Sequence, residues 1–432
     1  MKILMLHNFY QSSSPSGEDV VFKNEVELLK KNDIEVITYE RHNDDIKDYG
    51  LWDKLYLPFR NIWSLRTYRE LKQLLKKERP EIVHFHNIFY LISPSAYYAC
   101  KEADVPVVQT LHNFRIFCSN GLLMRNGQVC EECKNEKTGY RSWVIGNKFK
   151  LIKNAIKYGC YRNSRIYSLA IALLEYMHWI KNTWVDKVDA YITLTEFGKR
   201  KFIEAGLPAE RIFVKPNFLL NPPEPVYSHR NYAVFIGRLS AEKGLDVLIN
   251  AFQHLSNISN ELKATNYQRA PLAYDAFKIK IVGDGPLKSG LEQIVKDNNI
   301  EGIEFTGKKT FNECMELLKG ARFLIMPSIC YEGFPMAVRE TFACGKPVIA
   351  SRIGAMAELV EDRKTGLLFE PGNPFDLAKK MKWMIEHKAE CIEMGRNARK
   401  VFEEKYTAER NFEILTGIYE AVLQSIYENR FH

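Results

Sequence analysis

Apolar residues in the first half of the chain fall into short runs at positions 3–6, 34–39, 82–85 and 105–111, separated by stretches with apolar positions at helical spacing. Short apolar runs bounded by turn residues read as buried strands, and strands alternating with helices imply βαβ units and a parallel sheet. The first run is followed by a Ser/Pro/Gly loop at 12–17 and a helical stretch at 19–31. The rhythm breaks at 141–185, resumes at 190–194 and 212–214, and stops at Asn221-Pro222-Pro223-Glu224-Pro225. Such a proline cluster joins neither a central strand nor a helix interior, so it predicts a stiff connector and a domain boundary. Beyond it strands are expected at 232–236, 278–282, 303–306, 322–326 and 347–350, with a polar surface loop at 257–277.

This pattern predicts an α/β protein of two doubly wound parallel-sheet lobes, residues 1–220 and 221–407, with an amphipathic helical run at 408–426. Open parallel sheets bind ligands beyond the carboxyl ends of their strands, so two lobes with a cleft between them suit a two-part ligand. A length of 432 residues agrees with two cores. Hydrophobic residues make up 46% and charged residues 26%, which excludes disordered and fibrous classes. No uninterrupted apolar window is long enough for a membrane span. The opening MKILMLHNFY is too short for a signal peptide and lacks a small-residue cleavage site, so a cytoplasmic protein is expected.

Charge changes the picture at one place. The formal net charge is +8, and between Arg141 and Lys187 nine Lys/Arg stand against Glu175 and Asp186, a local balance of +7. The same segment interleaves Trp143, Phe149, Tyr158, Tyr161, Tyr167, Tyr176, Trp179 and Trp184 with its cations. Cations mixed with aromatics suit an anionic membrane surface, with 54–79 extending the same face. The competing reading is a helical insert whose aromatics face the first lobe. Nucleic acid is the other anionic partner, but no nucleic-acid fold or motif is present.

Cysteine usage points away from disulfides, because nine cysteines is an odd count in a chain without an export signal. Cys118, Cys130, Cys133 and Cys160 form a loose set around a C-x2-C pair, with an Asn126-Gly127 turn between. Four thiolates can close a tetrahedral structural zinc site; separate thiols are the alternative.

The segment 322–352 carries the most chemistry. A buried strand ends in Pro327-Ser328, a loop reaches Glu332-Gly333-Phe334-Pro335, and a helix is expected from Met336. Pro335 suits a helix edge, Gly333 lets backbone approach a ligand, and the helix start offers N–H groups to an anion or hydroxyl. Glu340 lies eight positions after Glu332, roughly 12 Å along an ideal helix, about the span from a sugar ring across a diphosphate to a ribose. By spacing alone, a solvated helix with two exposed glutamates fits equally well.

The string E-G-F-P-M-A-V-R-E resembles the E-x7-E motif of family 4 glycosyltransferases, which have the GT-B fold. The likeness continues through A-C-G-K-P-V-I-A-S, G-A-M-A-E and T-G-L-L-F-E-P-G-N, and through F-I-G-R-L, E-K-G and I-V-G-D-G-P upstream. It covers most of residues 230–400 in the expected order. It implies a retaining enzyme using a nucleoside-diphosphate sugar and no catalytic metal, with Glu332 positioning the sugar rather than attacking it and Glu340 on the ribose. Arg238 and Lys243 then neutralise the diphosphate, and Gly333, Phe334 and Pro335 line the donor site. Their bland reading is surface charge on a βα loop.

In the first lobe the family has a glycine pair after the first strand. This chain keeps Gly17 beside Ser16, so a loop that lines the acceptor side and approaches the donor's phosphates through Gly17 is expected and individual contacts are not. His112 resembles the family's active-site histidine near the reacting carbon, and His84 and His86 are expected to line the cleft. The resemblance further implies that the chain end crosses back onto the first lobe. The expected acceptor is a saccharide or lipid-linked saccharide at the inner membrane face, in cell-surface polysaccharide synthesis. Two other readings are a GT-B nucleotide-sugar epimerase or inverting transferase, and a non-catalytic glycan or sugar-nucleotide binder. The joint presence of Arg238, Lys243, Glu332 and Glu340 argues against both.

Overall fold

The first apolar run forms strand β1 (Lys2–Phe9), with Ile3, Leu4, Met5 and Leu6 fully buried, in a computed structural model that describes residues 1–12, 16–133, 150–264 and 276–431. It is followed by β2 (Glu35–His42), β3 (Ile82–Phe85), β4 (Val107–Leu111), the two-residue strands β5 (Met124–Arg125) and β6 (Gln128–Val129), β7 (Ala190–Thr193) and β8 (Ile212–Val214). Six of these make a parallel sheet in the order β2-β1-β3-β4-β7-β8. Strands β5 and β6 pair separately around Asn126 and Gly127, both at positive φ, the conformation that an Asn-Gly hairpin turn requires.

The second sheet contains β9 (Tyr232–Ile236), β10 (Lys278–Val282), β11 (Ile303–Gly307), β12 (Leu324–Met326), β13 (Val348–Ser351) and β14 (Gly366–Phe369). All run parallel in the order β11-β10-β9-β12-β13-β14, so strand order reverses between β9 and β12. Strand β14 is absent from the sequence expectation because it opens on a glycine. Here that glycine is a packing requirement: a Cβ on Gly366 would lie 1.9 Å from the Val348 carbonyl oxygen.

The chain divides into two compact units, one of Met1–Arg125, Cys130–Leu220 and Ala408–His432, the other of Asn126–Val129 and Asn221–Thr407. The closing helix Ala408–Phe431 belongs to the first unit and places Leu415, Ile418, Tyr419 and Val422 in the core with Ile3, Met5, Ile82 and Ile192. The second unit has its own core, in which Phe235, Leu248, Phe252, Ile279, Ile325 and Phe369 meet.

Two expectations change. Residues 257–264 are not loop: helix Leu245–Ala264 runs through them, because Leu248, Phe252 and Leu255 anchor one face to the core while the polar residues continue the helix. Phe277 is buried and stacks on Phe323 with ring centroids 5.7 Å apart, while 265–275 lie outside the described residues. In the basic aromatic segment, Trp179 and Trp184 are core residues, and Trp179 Nε1 donates to the Ile116 carbonyl at 2.8 Å. Its residues 141–149, with Trp143 and Phe149, lie outside the described residues. Among the described helices none is long and apolar enough to cross a membrane.

Candidate active site

In the second unit the site grows from the loops after β9 and β12, where the strand order reverses. Ligands of doubly wound sheets bind at such a switch point. The turn after β9 closes on Gly244, at φ +63, where a Cβ would stand 2.1 Å from the Pro327 carbonyl oxygen. The close approach is sealed by Ile329 N–H donating to the Glu242 carbonyl at 3.0 Å. It brings the Lys243 ammonium to 2.6 Å from Glu332 Oε1, and Ser328 Oγ donates to the same oxygen at 2.7 Å. Burial raises the Glu332 carboxyl, but the Lys243 charge and the two hydrogen bonds outweigh it, so the group titrates below the usual carboxylate range. Lys243 is correspondingly raised, as Glu332 overcomes burial. Glu332 and Lys243 are therefore a fixed, ionised pair.

Helix Met336–Ala343 starts at Pro335, with no side-chain cap. Phe334 does not face outward: it is buried edge-on against Tyr406, centroids 5.6 Å apart, which anchors the loop and leaves Gly333 and the backbone for any ligand contact. Glu340 pairs with the buried Arg339 at 3.0 Å. Burial lowers the Arg339 guanidinium, with Glu340 opposing. The Arg238 side chain is exposed, and the next residue binds the β10 loop, Leu239 N–H donating to the Asp284 carbonyl at 2.9 Å. Gly285 permits that approach, since a Cβ there would meet the Leu239 carbonyl at 2.4 Å.

In the first unit Ser16 caps the helix Gly17–Lys31: its hydroxyl accepts from Glu18 N–H, and the Ser16 N–H donates to Asp19 Oδ2 at 3.0 Å. Ser16 sits at φ −99, an extended conformation that needs no glycine, which accounts for the departure from a glycine pair. Gly17 is the exposed first residue of the helix. His112 Nε2 lies 3.1 Å from His86 Nδ1, whose Nε2 lies 3.2 Å from Glu25 Oε2. Glu25 in turn pairs with the buried Lys215, which also reaches Asn411 Oδ1 at 3.4 Å. Burial drives both His86 and His112 below the ordinary histidine range, so His112 is a neutral imidazole near pH 7. His84 does not join the site: its ring is fully buried between Tyr419 Oη at 2.7 Å and Thr110 Oγ1 at 2.8 Å.

Three residues that the sequence did not single out share a cavity with His86 and His112: Glu18, Asn113 and Arg115. Asn113 Nδ2 donates to Glu18 Oε1 at 2.9 Å, and burial raises the Glu18 carboxyl. Glu18 Oε2 and Arg115 Nη1 are buried without a hydrogen-bond partner. Nothing in one sequence marks them, because they are ordinary polar residues until folding aligns the loops after β1 and β4.

Glu25, His84 and His86 are the described set whose ligand atoms all lie within 4.8 Å. Lys215 pairs with Glu25 and both ring nitrogens of His84 are hydrogen-bonded, while Glu25 Oε2 and His86 Nε2, 3.2 Å apart, are buried without a hydrogen-bond partner. Cys118, Cys130, Cys133 and Cys160 are near enough that the others raise the Cys133 thiol further after burial has raised it. Their sulfurs are not drawn together to that distance; Cys118 Sγ instead donates to Asn120 Oδ1 at 3.0 Å.

Residues 16–219 match the family model described as Glycosyltransferase Family 4, and residues 220–401 the one described as Glycosyl transferases group 1. The chain is 26% identical over 423 residues to uncharacterized glycosyltransferase MJ1178 of Methanocaldococcus jannaschii, covering 97% of this chain and 98% of that protein. It is 28% identical over 179 residues to D-rhamnosyltransferase WbpZ of Pseudomonas aeruginosa, covering 41% and 42%. Among solved structures, Anabaena Alr3699/HepE in complex with UDP aligns over 99% of this chain and 100% of that one, at 17% identity and a TM-score of 0.59. Sucrose-phosphate synthase from Thermosynechococcus elongatus aligns over 98% and 100%, at 15% identity and a TM-score of 0.64. With its two doubly wound units and the Glu332–Lys243 pair at the switch point of the second, the chain belongs to the family 4 glycosyltransferases and has the GT-B fold.

Proposed function

We propose that this enzyme moves a sugar, with retention of configuration, from a nucleoside-diphosphate donor to a hydroxyl of a saccharide or lipid-linked saccharide in cell-surface polysaccharide synthesis. The observation that carries the reading is the ionised Glu332–Lys243 pair at the switch point of the second sheet. In this reading the carboxylate accepts from the hydroxyls of the transferred sugar, Lys243 and the exposed Arg238 take the diphosphate, and Glu340 takes the ribose. Negative charge grows on the leaving diphosphate as the glycosidic bond breaks. Fixed cations and the backbone N–H groups of Gly333 and the following helix start stabilise it without a catalytic metal.

The first unit takes the acceptor. His112, held neutral, offers one ring nitrogen to the transferred sugar while the other is set by His86, and Gly17 opens the acceptor-side loop. Retention follows from the family likeness, with the departing phosphate helping to remove the acceptor's proton at the same face and Glu332 not attacking. The bound UDP of the Anabaena structure and the transferase names of the relatives support a nucleotide-sugar donor. Peripheral contact with the cytoplasmic leaflet completes the reading, supported by the excess of cations in the first unit. A structural zinc on Cys118, Cys130, Cys133 and Cys160 is its accessory part, supported by the donor chemistry of the four thiols. Metal analysis showing no stoichiometric zinc removes that part alone.

Thermal shift against a panel of nucleoside diphosphates and their sugars tests the core, because a ligand of the folded state raises the melting temperature. One nucleotide class is expected to stabilise the protein, with Glu332→Gln reducing the response to the sugar nucleotide more than to the bare nucleotide. Turnover products are expected to keep the donor's anomeric configuration. Inverted products, or nucleotide binding without turnover on any lipid-linked acceptor, overturn the reading.

A further inference from the structure

The helix Leu51–Ile62 is amphipathic, yet it turns its apolar side outward. Leu51, Trp52, Tyr56 and Phe59 lie on one side of the wheel and are 82%, 71%, 51% and 66% exposed, while the polar Asn61 on the other side is buried. Helices that cover a core do the reverse. Beside it runs Arg165–Ile180, tied to it by His178 Nε2 donating to the Ile62 carbonyl at 2.9 Å. That helix is apolar all round: one side packs inward through Ile171, Leu174 and Trp179, and Ile166, Tyr167, Met177 and Ile180 are exposed on the other. Its one acid, Glu175, is buried, hydrogen-bonded to Ser119 and pushed up to about 8 by burial, so it adds no negative charge near pH 7. Exposed Lys54, Arg162, Arg165 and Lys181 stand at or near the ends of the two helices.

We infer that the outward apolar faces of Leu51–Ile62 and Arg165–Ile180 insert into the interfacial layer of an anionic phospholipid bilayer, with Trp52, Tyr56 and Phe59 as anchors. This inference rests on the acceptor reading above and moves the membrane contact off Trp179 and Trp184, which the core consumes. Trp and Tyr are amphipathic rings suited to the headgroup boundary, and the surrounding cations meet anionic headgroups. Charge selects the occupant. A second copy seated on the same face by a two-fold axis would bring two basic rims together, which is repulsive, whereas an anionic lipid surface is complementary.

The test uses the full chain with vesicles of mixed phosphatidylglycerol and phosphatidylcholine, against phosphatidylcholine alone. Binding is expected to the anionic vesicles, to weaken with added salt, and to shift Trp emission to the blue. The double variant Trp52→Ser, Phe59→Ser is expected to bind about 100-fold more weakly, about ten-fold for each anchor removed. Its melting temperature is expected to stay unchanged, because both side chains are exposed. Undiminished vesicle binding by that variant overturns the inference. So does self-association that the substitutions abolish in the absence of vesicle binding, which gives the face to a second copy. Nucleoside diphosphate stabilisation, read on the same variant, separates the two claims. Its retention with vesicle binding lost supports the docking face, and its absence from the parent protein overturns the transferase reading while vesicle binding stands.

Discussion

At Glu332 two opposed effects act on one carboxyl, and the Lys243 ammonium 2.6 Å away defeats burial. Glu332→Gln is expected to lower turnover by roughly 10²–10³-fold, as loss of a preorganised polar contact to the reacting group does. Removing one partner also leaves the half-buried Lys243 uncompensated, at a cost of about 1–3 kcal/mol in stability, which denaturant titration measures. Glu175 responds to pH in a definite direction. Its folded pKa of about 8 stands above the unfolded carboxyl value, so its contribution is present in acid and is lost as pH rises through about 8. Glu175→Gln keeps a partner for Ser119 and is expected to become more stable relative to the parent by up to roughly 4 kcal/mol between pH 5 and pH 8. Equal melting differences at the two pH values contradict this. His178 works in the opposite sense: its folded pKa of about 4 lies below the unfolded value, so its stabilisation is lost as pH falls from about 6.5 towards 4.

At the scale of elements, the Glu332–Lys243 part of the candidate site is a turn and a loop brought into register by backbone contact. Gly244→Ala would place a methyl against the Pro327 carbonyl oxygen at positive φ, so a loss of about 2 kcal/mol or more is expected, with weaker nucleotide stabilisation. Thermal melts with and without nucleotide separate the two effects. Trp179→Phe is expected to cost about 2 kcal/mol, since it shrinks a fully buried ring and orphans the Ile116 carbonyl that Nε1 serves. Most elements were legible because alternating apolar runs and helical spacing are local properties. The exceptions have physical causes. Strand β14 opens on a glycine that looks like a turn, and helix Leu245–Ala264 outlasts its apolar stripe because three core anchors carry the polar end.

On the scale of the whole molecule, the last helix completes the first core. Truncation after Thr407 removes Leu415, Ile418, Tyr419 and Val422 and strips His84 of Tyr419 and Lys215 of Asn411. The first unit is expected to lose cooperative unfolding, while the second, with a core of its own, keeps a distinct transition by calorimetry. By itself the sequence determined the two doubly wound sheets, the family, and the local course of the Glu332 loop and of the turn at Gly244, because strand periodicity, glycines and prolines act over short spans of chain. Only the tertiary structure decided which distant polar groups meet. It joins the half-buried His112 to the buried His86, Glu25, Lys215 and Asn411, sends His84 to a packing role, and puts Glu18 and Arg115 into the cavity. It also decided which aromatics the core absorbs and which it leaves outside. Helical spacing shows that an apolar face exists, and only the neighbouring elements determine whether that face turns inward.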